Sequence, residues 1–151
     1  WGRPDMALFK FTRGILADES IPVYNRGQMI RDFTYVDDIV EGVTRVIDRP
    51  APSNSSWSGD KPDPSSSKAP YRIYNIGNSN PVQLMRYINV LEECLGKKAN
   101  LDLMPMQDGD VPATTADVTA LESDLGYRPE TTIDVGVRRF VDWYKNYYDI
   151  T

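Results

Sequence analysis

Gly27-Gln28-Met29-Ile30-Arg31-Asp32-Phe33-Thr34-Tyr35-Val36-Asp37-Asp38 sets one arginine at the head of an apolar, β-branched and aromatic run that closes on two acids. The alternation over 31–36 predicts a strand. Asp37 or Asp38 then predicts the cap of a helix whose apolar positions, Ile39, Val40, Val43, Val46 and Ile47, recur at helical spacing until Pro50 stops it. A guanidinium held at the end of a strand is a rigid, two-pronged donor suited to phosphate or carboxylate.

Upstream of this stretch, Asn25-Arg26-Gly27 predicts a turn, and Ile21-Pro22-Val23-Tyr24-Asn25 a short strand that its proline confines to an edge. Pro4 and Asp5 suit the first turn of a helix running to about Ala17, with Leu8, Phe9, Phe11, Thr12, Ile15 and Leu16 on its apolar face. Trp1-Gly2-Arg3-Pro4 reads as the end of a loop leading into that helix. With no initiator methionine, the chain is expected to be a fragment of a longer protein.

Downstream, residues 50–70 are rich in serine and proline, and Trp57 is their only large apolar residue. Such a composition buries too little surface to offset its ordering entropy, so an exposed, partly disordered insertion is expected. Tyr71-Arg72-Ile73-Tyr74-Asn75-Ile76-Gly77 alternates as a strand, and Asn80-Pro81 opens a helix lined by Leu84, Ile88, Leu91 and Leu95 and ended by Gly96. A strand follows over 101–106. Asp117 caps a short helix through Leu125, closed by Gly126, and a last helix over 132–148 turns Ile133, Val137, Phe140, Val141, Tyr144 and Tyr148 to the core. There is no internal repeat. Short strands mixed with helices predict one small α/β lobe over residues 1–151.

Composition excludes several kinds of chemistry. Among 151 residues there are no histidines and one cysteine, which removes His/Cys zinc sites and serine-histidine or cysteine-histidine catalysis. Any general base would be a carboxylate, tyrosine or lysine. A net charge of -5 argues against a groove for nucleic acid but leaves room for a small phosphorylated ligand gripped by a few arginines. No apolar run approaches the roughly 20 residues that span a bilayer, and no signal-peptide pattern opens the chain. The single Cys94 suits a reducing, cytoplasmic setting and reads as a packed helical thiol.

Individual residues have two readings at this point. Arg31 could grip a phosphate, or simply pair with Asp32 or another acid, and the pairing is the simpler reading on composition alone. Arg3, just ahead of a helix start, poses the same question. Val23 and Tyr24 could offer edge-strand backbone to a flat heterocycle, or pack in the core. Gln107-Asp108-Gly109-Asp110 is a polar turn, and a helix N-terminus accounts for Asp37 and Asp38 without catalysis. No glycine-rich phosphate loop is present.

Four motifs in order, Gly2-Arg3-Pro4-Asp5-Met6-Ala7, Arg31-Asp32-Phe33-Thr34-Tyr35-Val36-Asp37-Asp38, Tyr74-Asn75-Ile76-Gly77 and Gly109-Asp110-Val111, resemble the extended short-chain dehydrogenase/reductase family. Within it they are most similar to the UDP-glucuronate 4-epimerase group of nucleotide-sugar epimerases. The resemblance implies a C-terminal substrate-binding lobe whose NAD-holding Rossmann domain is missing, along with the family's glycine-rich turn and Tyr-x-x-x-Lys catalytic pair. It therefore implies no catalytic or cofactor-binding residue in this chain, and an inactive fragment. It implies that Arg31 grips the diphosphate, Arg3 faces the sugar carboxylate, Val23, Tyr24 and Asn25 lie along the uracil, and Met6 and Ala7 lie beside the nucleotide. Gln107 stands where many relatives carry a second phosphate-binding arginine, and its amide can donate one hydrogen bond. Asp110 is implied to bond the ribose or support Arg31. The family further implies a UDP-sugar ligand, no nucleic acid or membrane partner, and a homodimer of the whole protein. The rival expectations are a dehydratase, reductase or decarboxylase of the same family, or a non-catalytic interaction module.

Overall fold

Ile88 and Leu91 lie fully buried on one face of a helix, and the helix pattern read from the sequence is what puts them there. The structure, a computed structural model, describes residues 3–150; Trp1 and Gly2, read as the end of a loop, lie outside the described residues. The elements run α1 (Ala7–Leu16), β1 (Ser20–Val23), a 3-10 turn (Tyr24–Gly27), β2 (Ile30–Arg31), α2 (Val36–Asp48), β3 (Val82–Gln83), α3 (Leu84–Leu95), β4 (Asn100–Leu103), α4 (Thr119–Leu125) and α5 (Ile133–Tyr147). Where one lobe was expected, the chain divides into two compact units. The first takes the described residues up to Phe33 with 81–114 and 132–150; the second takes 34–80 and 115–131. The mixed α/β character expected from the sequence holds.

In the first unit β1 pairs in parallel with β4, Ser20 opposite Asn100 through Val23 opposite Leu103, while β2 pairs antiparallel with β3. Pro22 can sit in β1 because this sheet has only two strands, which leaves an edge for its missing N–H. Helices α1, α3 and α5 cover a core of Phe11, Ile15, Ile21, Val23, Tyr87, Ile88, Leu91, Val137 and Val141. Gly14 permits the close packing of α1 on β1, since a Cβ there would stand 2.5 Å from Ile21 Cγ2. Gly96 ends α3 at φ 68°, as a left-handed cap residue does.

Several boundaries differ from the sequence reading. Pro4 and Asp5 form a turn ahead of α1, whose N-cap position is Met6. The strand expected over 31–36 shrinks to Ile30–Arg31, because only these two residues find β3 opposite them. Asp37 and Asp38 sit inside the first turn of α2, with Tyr35 at the cap position. Asn80-Pro81 precedes β3, and Gln83 stands at the N-cap of α3. Tyr148 is exposed at the C-cap of α5, whereas Thr132 caps its start by accepting the Val135 N–H.

The second unit packs Val118, Leu121 and Leu125 against Val46, Tyr74, Ile76 and Tyr127. The Asp38 carboxylate accepts the Thr131 N–H at 3.0 Å and its hydroxyl at 2.8 Å, while Tyr127 Oη donates to the Asp38 carbonyl. Residues 71–77 alternate in burial as a strand would, yet form no strand; Arg72 makes one isolated bridge with Ser66. The apolar stripe expected on α2 splits, for Val36, Val40, Val43 and Ile47 are exposed while Ile39 and Val46 are half-buried.

Residues 50–70 are gathered by local polar bonds that a burial argument does not count. Asp63 accepts from the Ser65 N–H and from the hydroxyls of Ser65 and Ser66, and its carbonyl accepts the Trp57 indole N–H at 3.0 Å. These side-chain bonds replace a hydrophobic core as the organising force of the segment.

Glu92 is a buried acid at the end of α3. Its carboxylate accepts Lys98 Nζ at 2.6 Å and the Ala99 N–H at 2.9 Å. Burial alone would raise its pKa, but these two bonds and the lysine charge outweigh it and hold the carboxyl below its usual value. A depressed folded pKa contributes stability above the ordinary carboxylate range and loses it as pH falls through the folded value. Glu92→Gln should therefore cost about 1–3 kcal/mol at neutral pH, and the gap from the native protein should narrow below about pH 4. Urea unfolding at the two pH values measures it, and an unchanged gap would remove the charge from the account.

Candidate functional site

Every residue singled out from the sequence as ligand-binding falls in the first unit. Arg31 ends β2, and the short ladder fixes where its side chain begins. Its Nη1 donates to the Ile30 carbonyl at 2.9 Å, and Nη2 stands 3.8 Å from Asp110 Oδ1. The simpler reading of Arg31 as one half of an ion pair with an acid thus describes it here, with Asp110 as a partner. Such a half-exposed pair is worth about 0–1 kcal/mol net, so it orients the guanidinium without locking it. An arginine carries five N–H donors, and most of those on Arg31 are left for an incoming anion.

The turn that brings Asp110 to Arg31 is local. The Asp110 N–H donates to the Gln107 carbonyl at 3.2 Å, with Gly109 at φ 83°, a conformation that glycine adopts without strain. Gln107 is exposed, and its side chain makes no hydrogen bond among the described residues. The turn is anchored from behind: the Ile30 N–H donates to Pro112 O at 2.9 Å, the Thr114 N–H returns to Ile30 O at 3.1 Å, and the Asp32 N–H donates to Thr114 Oγ1. Sequence reasoning missed Pro112 and Thr114. The parallel bridge between Ile30 and Ala113 that positions them joins residues far apart in the chain and carries no local signal.

Val23 is fully buried and its carbonyl accepts the Met104 N–H at 3.0 Å, so that carbonyl is already in use. Core packing is the reading that its side chain obeys. The half-buried Tyr24 leads into a turn in which Asn25 and Arg26 take φ 49° and 50°, and Gly27 takes φ 80°. Asn25 holds this turn by donating its side-chain amide to Gln28 O at 2.8 Å, and the Arg26 N–H donates to Met104 O. Gly27 allows the turn to close, since a Cβ there would meet Met85 Sδ at 2.6 Å.

At the start of α1 the Met6 side chain is exposed, its N–H donates to the Arg3 carbonyl, and Ala7 is the first helical residue. Arg3 forks onto Asp5, Nη2 to Oδ2 at 2.6 Å and Nε to Oδ1 at 3.3 Å. That bond and the adjacent backbone hold the Asp5 carboxyl below its usual value. Arg3 makes no hydrogen bond or ion pair with the Arg31 cluster among the described residues. The structure brings Arg31 and Asp110 together, with Gln107 in the same turn as Asp110; it places Arg3, Met6 and Ala7 at the helix start and Val23, Tyr24 and Asn25 at the end of β1.

Behind Arg31, Phe33 stacks on the buried Tyr87, ring centroids 4.4 Å apart and planes 7° from parallel. Burial pushes the Tyr87 hydroxyl far above the usual tyrosine range, so it stays neutral and has no role as a base. Cys94 on α3 is half-buried and its thiol is likewise pushed up by burial, in line with a packed thiol. Among the described residues no group of three or more His, Cys, Asp or Glu is placed to hold a metal ion, and no helix is long and apolar enough to cross a membrane. The cluster can grip an anion. It presents no nucleophile or poised base.

The positive-φ glycines test whether a dinucleotide could be held. Gly27 precedes β2, Gly96 and Gly126 end α3 and α4, and Gly109 lies in the 107–110 turn. None stands between a strand and the start of a following helix, where a pyrophosphate would be cradled. Among the described residues, then, no positive-φ glycine forms such a cradle.

Comparison with known proteins gives a consistent neighbourhood. A family model described as GDP-mannose 4,6 dehydratase matches residues 7–140. Protein CapI of Staphylococcus aureus is 57% identical over 148 residues, covering 98% of this chain and 44% of its own length. A probable UDP-glucuronate 4-epimerase of Rhizobium meliloti (strain 1021) is 42% identical over 149 residues, again covering 98% of this chain and 44% of its own length. Among solved structures, the UDP-glucuronic acid 4-epimerase of Bacillus cereus in complex with UDP-glucuronic acid and NAD superposes with a TM-score of 0.77 at 25% identity, over 97% of this chain and 41% of that one. The chain thus spans less than half the length of the curated relatives it matches.

Proposed function

This chain belongs to the GDP-mannose 4,6 dehydratase family, and we propose that it is the nucleotide-sugar-binding part of an NAD-dependent UDP-sugar epimerase acting on UDP-glucuronate. Arg31 carries this reading. It is a strand-end guanidinium, braced by Ile30 O and Asp110, with most of its donors free for a diphosphate. The relatives described as UDP-glucuronate 4-epimerases support the choice of sugar nucleotide.

In this reading the diphosphate displaces Asp110 from Nη2 at little cost, and Asp110 either keeps Arg31 aligned or turns to the ribose. The exposed Gln107 amide donates one further bond to a phosphate oxygen. Tyr24 and Asn25, with Val23 behind them, flank the uracil, and Met6 and Ala7 lie beside the nucleotide. Arg3 leaves Asp5 for the sugar carboxylate. Because that pair is fully solvated, exchanging one carboxylate for another costs little.

The described residues offer no dinucleotide cradle and no poised base, so the NAD site and the proton-transferring residues are assigned to the rest of the relatives' length. NAD would exchange a hydride with the sugar carbon; the residues of this chain hold and orient the nucleotide. A cytoplasmic location and a homodimer of the whole protein belong to the same proposal.

Titration of the 151-residue chain with UDP-glucuronate and with UDP-glucose tests it. Weak, roughly millimolar binding without turnover is expected, with Arg3→Ala weakening UDP-glucuronate more than UDP-glucose. Epimerase turnover by this chain would overturn the division of roles, and equal losses on both sugars would remove Arg3 from the carboxylate.

A further inference from the structure

A cavity of about 560 Å³ lies wholly within the second unit, and none of the ligand-binding residues proposed above lines it. Its volume falls among those of small-molecule sites. Arg49, at the C-cap of α2, Arg72 and Asp124 are its charged lining residues. One wall is the 50–70 segment, and that wall is built. Asn54 donates to Ser66 Oγ at 3.1 Å, Ser66 is buried and donates to Asp63, and Arg72 Nη1 donates to Ser65 Oγ at 3.1 Å.

The balance of donors and acceptors shows what the cavity lacks. Asp124 Oδ2 accepts Arg72 Nε at 3.0 Å and Tyr74 Oη at 3.2 Å, and Oδ1 accepts the Ser123 hydroxyl. Burial alone would raise this carboxyl, but those hydrogen bonds and the Arg72 charge hold it below its usual value. The acid is therefore spent on Arg72. The Arg49 side chain makes no hydrogen bond or ion pair among the described residues, which leaves one uncompensated positive charge in a chain of net charge -5. Pro50, Tyr71 and Leu125 add apolar surface around these donors.

We propose that this cavity binds a small anion, a phosphate or carboxylate group on a sugar or ring-shaped body, with its charged group on Arg49 and Arg72. Guanidinium groups meet planar or tetrahedral oxyanions with paired hydrogen bonds, and the apolar side chains beside them can pack against a ring. The site does not depend on the reading of Arg31.

The test is an NMR titration of the ¹⁵N-labelled 151-residue chain with glucose 1-phosphate and, separately, with glucuronate. Saturable shifts at residues 49–54 and 71–74 are expected with at least one of the two, and the compound that gives them identifies the charged group. Arg49→Gln, an exposed position whose side chain supports no other group, should weaken that binding about tenfold or more, whereas Arg31→Ala should leave it unchanged. No saturable shift with either compound up to about 20 mM, or binding indifferent to Arg49→Gln, would overturn the site. Loss of binding in Arg31→Ala would assign the anion to the first unit instead.

Discussion

Arg31→Ala is expected to weaken UDP binding by roughly 30- to 150-fold, about 2–3 kcal/mol, the worth of one or two charge-assisted hydrogen bonds to a phosphate. The loss should fall on binding and not on folding. In the free protein Arg31 makes one hydrogen bond to Ile30 O and a long ion pair with Asp110, neither of which holds the core together. Urea unfolding of the variant should therefore stay within about 1 kcal/mol of the native protein. Arg31→Lys separates charge from geometry. A lysine restores the positive charge but presents a point donor instead of a planar fork, so it should recover only part of the loss. NMR titration with UDP, which follows millimolar affinities, reads both variants; saturation with Arg31→Ala should be lost up to about 20 mM. Native-like affinity in Arg31→Ala would show that the diphosphate is gripped elsewhere.

Leu91→Ala should destabilise the first unit by about 3–5 kcal/mol, through lost apolar burial and the void left behind. Leu91 is fully buried in the cluster shared by α1, α3 and α5, where Ile88, Val137 and Val141 have no room to collapse inward without moving a helix. The consequence reaches the proposed binding residues through the backbone. α3 begins at Leu84, whose N–H donates to Met29 O, and β3 immediately before it pairs with Arg31. A loosened α3 should thus also speed amide exchange at Ile30 and Arg31. Hydrogen exchange resolved by residue, together with urea unfolding, checks both parts. A cost below about 1 kcal/mol would mean that the core repacks far more readily than its burial implies.

What could be read from the sequence was what local chemistry determines. The helical spacing of Leu84, Ile88, Leu91 and Leu95, the glycines that end helices at 96 and 126, and the last helix from about Thr132 each depend on neighbours within a turn or two. The expected strands fared unevenly, because a strand is completed by a partner remote in sequence. Residues 20–23 find β4, but 32–35 find no ladder, and 71–77 keep the alternation without the pairing. Arg31 stood out from its own setting, yet the contact that orients it, Asp110, lies far along the chain and was only inferred by resemblance. The 50–70 segment is mostly exposed, as its composition implies. Its order comes from hydroxyls and carboxylates bonding across a few residues, which hydrophobicity does not measure.

That last feature has a kinetic side. The bonds that gather residues 54–66 span between 2 and 12 positions, so nearly all of them can close without waiting for a distant strand or helix. Closing so short a loop takes on the order of 10–100 ns, far faster than assembling the parallel pair of β1 and β4, whose partners lie 80 positions apart. These local bonds can thus close before the β1 and β4 pair assembles, while the bonds of Ser65 and Ser66 to Arg72 and Ile73 tie the segment to the rest of its unit.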